Sequence, residues 1–154
     1  MPEHLTLKEA FLKCKRDGRF LIREEDGFEE IRSTIIIADA DIQSADTIKK
    51  KLDKNSAQWS TVYKLYYDAL HGLAEAFLRF DKVKIDNHQC LFAYLCEKYP
   101  ELDFSWDFLE KARTKRNGIH YYGRPVGFDD LRELELQFTL YIKKLKEEIE
   151  ARLK

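Results

Sequence analysis

Arg113, Arg116, Asn117 and His120 are the residues of this chain whose types and spacing best suit chemistry on a phosphate. Helical periodicity starting near Trp106 runs through them and sets them at i, i+3, i+4 and i+7. At about 100° per residue, those four side chains share one stripe of a helix. An imidazole that is neutral near pH 7 can take or give a proton. A guanidinium one turn away can grip a phosphate through its fork and offset charge in a five-coordinate transition state. Asn117 can orient either group. No acidic metal triad accompanies them, and the chemistry such a set suits is cleavage of RNA by its own 2′-hydroxyl. That reaction leaves a 2′,3′-cyclic phosphate and a 5′-hydroxyl and calls for neither metal nor cofactor. One imidazole per chain is limiting, because an acid and a base are wanted on opposite sides of the scissile bond. A two-fold homodimer that brings two stripes to one cleft would supply both. The plainer reading of two arginines on a helix is a solvated basic face. Asn117, His120 and the turn that follows directly argue against it.

The stripe needs a rigid support, and the sequence provides helices for it. Phe108, Ala112 and Ile119 form the apolar side of the same segment, which Asp103 or Ser105 caps and Gly123-Arg-Pro-Val-Gly127 ends. Gly118 within it costs about 1 kcal/mol relative to Ala, so a kink or an early end at that point is an open alternative. Thr6-Leu-Lys-Glu9 reads as a capping box for a short helix over about 6–17, with Gly18 as its left-handed stop. Ile31, Ile35, Ala38, Ile42, Ala45 and Ile48 recur at three and four and predict a helix from about 28 to 52. The most apolar helix, about 56–80, carries Val62, Leu65, Tyr66, Ala69, Leu73, Ala76, Phe77 and Phe80. Asp86, with Gln89 as its capping partner, opens another that ends at Tyr99-Pro100. The last, about 128–153, repeats Leu131, Leu134, Phe138, Tyr141, Leu145 and Ile149. No window alternates with period two, so strands are not expected. These elements predict an all-α fold: a single domain over 1–154 built as an up-and-down four-helix bundle, about 28–153, with one or two extra short helices.

Bulk properties narrow the function. Lys and Arg number 27 against 28 Asp and Glu, a balance that argues against a protein coating nucleic acid over its whole surface. The basic character is local, in Lys111, Arg113, Lys115, Arg116 and Arg124. Cys14, Cys90 and Cys96 are odd in number and lack CxxC spacing, which predicts buried reduced thiols. Four histidines show no metal-ligand spacing. His71 lies opposite the Val62 stripe and His88 just inside a helix start; both read as structural. Tyr63, Tyr66 and Tyr67 can stack bases, but aromatics at helical spacing read first as core. The opening residues lack the apolar stretch of a signal peptide, and Ile35-Ile36-Ile37-Ala38 is too short to span a bilayer. A cytoplasmic protein without membrane contact is expected.

The same residues carry a resemblance. Arg116-Asn117-x-Ile119-His120-Tyr121-Tyr122-Gly123 resembles the signature helix of HEPN domains. Tyr63-x-x-Tyr66-Tyr67-Asp-Ala-Leu-His71-Gly-Leu-Ala-Glu-Ala-Phe-Leu is similar to the family's central helix, and Lys84-Ile-Asp-Asn-His88 to the segment after it. The likeness covers about residues 28 to 150. It implies a ribonuclease site at a dimer cleft, made by an Arg and a His four to six residues apart. Here six residues separate Arg113 from His120 and three separate Arg116 from His120, while Asn117 follows Arg116. The resemblance further implies a toxin of a toxin–antitoxin pair, with a nucleotidyltransferase as antitoxin partner. In some such toxins a Tyr two residues after the His receives AMP, and Tyr122 holds that offset. The alternative is a non-catalytic HEPN module that binds nucleotide or RNA or docks a nucleotidyltransferase. A third reading is a purely structural bundle.

Overall fold

The computed structural model describes residues 4–154; residues 1–3 lie outside the described residues. The fold is all-α. Its helices are α1 (Leu7–Arg16), α2 (Phe28–Lys49), α3 (Trp59–Leu78), α4 (His88–Lys98), α5 (Trp106–Tyr122) and α6 (Phe128–Leu153). Single 3-10 turns, Arg79–Asp81 and Pro100–Leu102, continue α3 and α4. α3 touches α2, α4, α5 and α6 and is the axis of the molecule. Its sequence accounts for that place. Val62, Tyr63, Tyr67, Leu70, Leu73, Ala74 and Phe77 are all sealed from water, so apolar groups cover most of its circumference. Phe138 of α6 packs edge-on against Tyr63 and Phe108, with ring centroids 5.5 and 5.4 Å apart, and so joins α3, α5 and α6 at one point.

The amphipathic patterns determine what the other helices bury. Ile31, Ala38 and Ala45 of α2 are buried and Ile35, Ile42 and Ile48 pack beside them, while Ile36 and Ile37 on the opposite side are 70% and 60% exposed. On α1, the Glu9 amide donates to the Thr6 hydroxyl and the Thr6 amide to the Glu9 carboxylate, each at 3.2 Å. This is the predicted capping box. α4 begins one residue later than the Asp86 cap implies. Asn87 is the cap, its side-chain oxygen accepting from the Cys90 amide at 2.9 Å.

Two expectations are corrected. A two-strand ladder exists: β1 (Leu21–Ile22) pairs antiparallel with β2 (Val83–Lys84), Leu21 opposite Lys84 and Ile22 opposite Val83. Strands of two residues are shorter than any window in which alternation can register. Lys82, in the left-handed region at φ 57°, turns the chain into β2. The cysteines are not all reduced thiols. Cys14 of α1 and Cys90 of α4 form a disulfide with Cα atoms 5.7 Å apart, and only Cys96 is a free, buried thiol. The bridged pair is 76 residues apart and meets because α1 packs on α4, a tertiary contact that spacing along the chain does not encode. Burial pushes the Cys96 thiol up to about 12, which keeps it protonated.

Candidate functional site

α5 is held at its start by Ser105, whose hydroxyl accepts from the Phe108 amide at 3.1 Å and whose own amide donates to the Tyr141 hydroxyl at 2.8 Å. Leu109 and Ala112 are fully buried, and the Tyr63 hydroxyl donates to the Ala112 carbonyl at 2.6 Å from inside the core. Beyond them the helix continues without a break through Gly118 to Tyr122. Gly123, left-handed at φ 60°, and Arg124 both donate backbone amides to the Gly118 carbonyl and close the end. Gly118 is therefore no hinge. It is buried because the Arg124 side chain folds back over it, and an added Cβ would stand 3.6 Å from Arg124 Cβ.

Arg113, Arg116, Asn117 and His120 consequently lie on one uninterrupted helix, with exposure rising along the stripe. Arg113 is mostly covered, with 19% of its side chain accessible, Arg116 and Asn117 are half-buried, and His120 is exposed. The two arginines differ sharply in their surroundings. Arg113 Nε and one terminal nitrogen donate to the two oxygens of Glu110, at 2.8 and 3.0 Å. Glu110 is itself only 5% exposed and takes a third bond from Gln89 Nε2 of α4 at 2.9 Å. The fork of Arg113 is thus occupied by a buried carboxylate of its own helix. Lys111 pairs with Glu133, and Lys115 with Asp130 at 3.1 Å. Asp130 also accepts from the Gly127 amide at the start of α6, and the two contacts hold its carboxyl below the ordinary range. Most of the basic segment read from the sequence is therefore neutralised by acidic neighbours.

Arg116 is the exception on the stripe. Among the described residues no carboxylate oxygen lies within 4 Å of it, and its one side-chain bond is to the Asn117 amide oxygen at 3.3 Å. Its guanidinium carbon sits 5.7 Å from the centroid of Tyr67 and 5.9 Å from that of Tyr121. Aromatic faces support a cation there without consuming its donors. Tyr121 also meets the His120 ring edge-on at 5.4 Å. Asp68 of α3 feels the charges of Arg116 and His120, but burial is the larger effect and raises its carboxyl. Tyr122 is exposed, with the Arg124 guanidinium over its ring at 5.4 Å.

No family model matches this chain, and no curated protein or solved structure does either. The site therefore rests on its own geometry, which includes residues that the sequence reading set aside. Tyr67, His71 and His88 gather behind Arg116. The rings of His71 and His88 stack at 3.8 Å, and the Tyr67 hydroxyl is 2.8 Å from His88 Nδ1. Burial, reinforced by the nearby positive groups, lowers His71 to about 3 and His88 to about 4, so both rings are neutral at pH 7. Burial also raises the Tyr67 hydroxyl well above its ordinary value. Glu110, Gln89, Tyr67, His71 and His88 come from three helices, and only the Glu110–Arg113 spacing of three carried a local signal.

A hollow of about 510 Å³ lies elsewhere, between α2 and α6 around Asp46, Lys49 and Tyr66. Lys49 fills its polar centre by pairing with Glu135 at 2.5 Å and with the Tyr66 hydroxyl at 2.9 Å. Among the described residues no helix is long and apolar enough to cross a membrane.

Proposed function

We propose that this chain is a HEPN-type, metal-independent endoribonuclease in which Arg116 binds the scissile phosphate and His120 moves protons. The observation that carries the reading is the pairing of an exposed imidazole with a guanidinium one turn before it that has no acidic partner among the described residues. A group already bonded to a carboxylate must lose that bond before it can bind phosphate, and Arg116 has none to lose. The 2′-oxygen attacks phosphorus as its proton passes to an imidazole, the bond from phosphorus to the 5′-oxygen breaks, and that oxygen takes a proton. Arg116 offsets the charge on the non-bridging oxygens, and Asn117, bonded to it, fixes the angle of its fork. His120 of a second copy supplies the other proton transfer in a two-fold homodimer. On this reading Arg113 orients the helix face through Glu110 and does not bind substrate.

The setting that the HEPN resemblance implies goes with this proposal: a toxin of a toxin–antitoxin pair, restrained by a nucleotidyltransferase that modifies the exposed Tyr122 hydroxyl. Incubating the pure protein with RNA in EDTA and assaying for cyclic-phosphate ends tests the activity. Equal background from the wild type and His120→Ala would end the nuclease proposal. The occupied fork of Arg113 favours a second reading, in which the chain binds RNA or nucleotide without cutting it. Titration with short RNA at low salt separates the two, since binding without cyclic-phosphate products supports only the second.

A further inference from the structure

We propose that His88 is a second imidazole of the Arg116 site, a neutral ring that presents its Nε2–H to a non-bridging oxygen of the RNA phosphate held by Arg116. The inference rests on the phosphate-binding part of the reading above and extends it to a residue of another helix.

The orientation of the ring carries the argument. The Tyr67 hydroxyl faces His88 Nδ1 at 2.8 Å, and its burial keeps it protonated. It has no other side-chain or backbone partner among the described residues. When that hydroxyl donates to Nδ1, the single proton of the neutral ring resides on Nε2. Among the described residues Nε2 has no hydrogen-bond partner, yet the only enclosed side-chain nitrogen or oxygen without a partner there is His71 Nε2. His88 Nε2 is therefore not fully enclosed, on a half-buried residue. The rest of the ring is fixed on both sides: it stacks on His71 at 3.8 Å, and the Asn87 cap holds the backbone that carries it. His71 is anchored in turn by Glu75, whose carboxylate oxygen is 3.3 Å from His71 Nδ1.

Position links this donor to the site. The Tyr67 ring has the Arg116 guanidinium 5.7 Å from its centroid and the His88 ring at 5.8 Å, nearly parallel to it at 13°. One tyrosine thus supports the cation through its face and sets the imidazole through its hydroxyl. The charges of Arg116, Arg113 and His120 all reach His88. A positive neighbourhood disfavours a protonated ring but suits a neutral N–H that faces an anionic oxygen. His88 then donates without transferring its proton, a role distinct from that of His120.

The test measures binding separately from cleavage. The probe is a single-stranded oligonucleotide with 2′-deoxy at the scissile position, followed by fluorescence anisotropy at low salt. His88→Ala is expected to weaken its binding about tenfold, the loss of one hydrogen bond to a charged oxygen. His88→Gln, whose amide reaches the place of Nε2, should recover most of it. Nitrogen NMR of the wild type guards against a misfolded variant: at pH 7 His88 should carry its proton on Nε2, and that signal should move when the oligonucleotide is added. A proton on Nδ1, an unmoved signal, no binding of the probe, or wild-type affinity in a folded His88→Ala protein would each overturn the proposal. Cleavage is a separate readout: if the wild type binds the probe through His88 but cuts no RNA, the nuclease reading fails and this one stands.

Discussion

Reducing the Cys14–Cys90 bridge should lower stability by about 4–5 kcal/mol. The pair is 76 residues apart, so in the chain-entropy account the bridge removes about 15 cal/mol/K from the unfolded ensemble, close to 4.5 kcal/mol at 25 °C. α1 also meets α4 through groups other than the bridge: Ala10 is buried, and Phe11 lies against Phe20, which in turn packs on Tyr94 of α4, with centroids 5.2 and 5.3 Å apart. The loss is therefore expected mainly in the unfolded state, with little change in native helix content. Urea unfolding followed by circular dichroism, with and without reductant, measures it. With a slope of about 2 kcal/mol/M, the midpoint should fall by about 2 M. Thiol titration of the denatured, oxidised chain should find one thiol, Cys96, against three after reduction. Three thiols without reductant would refute the bridge itself. An unchanged midpoint alongside one thiol would refute the entropic reasoning, and a collapse of native helix content on reduction would show that α1 depends on the bridge for more than entropy.

Gly118→Ala should stabilise the protein by about 0.5–1 kcal/mol, since the site is helical and the new methyl meets Arg124 at ordinary contact distance; thermal melting checks the sign. Glu110→Ala should destabilise by about 3 kcal/mol or more in urea unfolding, because it strands the mostly covered Arg113 charge, and adding Arg113→Met should recover much of the loss. His71 and His88 are depressed in the folded state, so unfolded chains bind more protons as the pH drops below about 6.5. Their contribution to stability is complete above that pH and declines toward about 4 and 3. The wild type should therefore lose more stability than His71→Phe between pH 7 and 4, and parallel curves would count against a buried neutral His71. His120→Ala should abolish cyclic-phosphate formation while leaving the melting temperature within about a degree, as expected for an exposed side chain.

The helices were legible because their apolar residues recur at three and four along long segments, and the faces so marked on α2, α3 and α6 are the faces buried. The stripe on α5 was legible for the same reason, since a single helix places its own residues. What could not be read joins different helices. His71 looked like a residue on the wrong side of α3, and His88 like an ordinary helix start, until the packing of α3 and α4 stacked them beside Arg116. Spacing sets Arg113 on the stripe but does not reveal the carboxylate that occupies its fork, since burial of Glu110 and its bond from Gln89 depend on how α4 packs on α5. The disulfide and the two-residue ladder were missed on the same grounds: neither has a periodic or local signature.

The bond from the Tyr63 hydroxyl to the Ala112 carbonyl acts at a distance from everything that faces water. A cylinder packed only by greasy contacts can roll about its long axis at small cost, and each residue's worth of roll swings its outer groups by about 100°. The buried Tyr63 bond fixes that azimuth from α3, together with the Gln89–Glu110 bond from α4 and the Ser105–Tyr141 bond from α6. The bearing of Arg116 and His120 toward Tyr67 and His88 is thus indexed from within, and Tyr63→Phe would detune the surface without touching it.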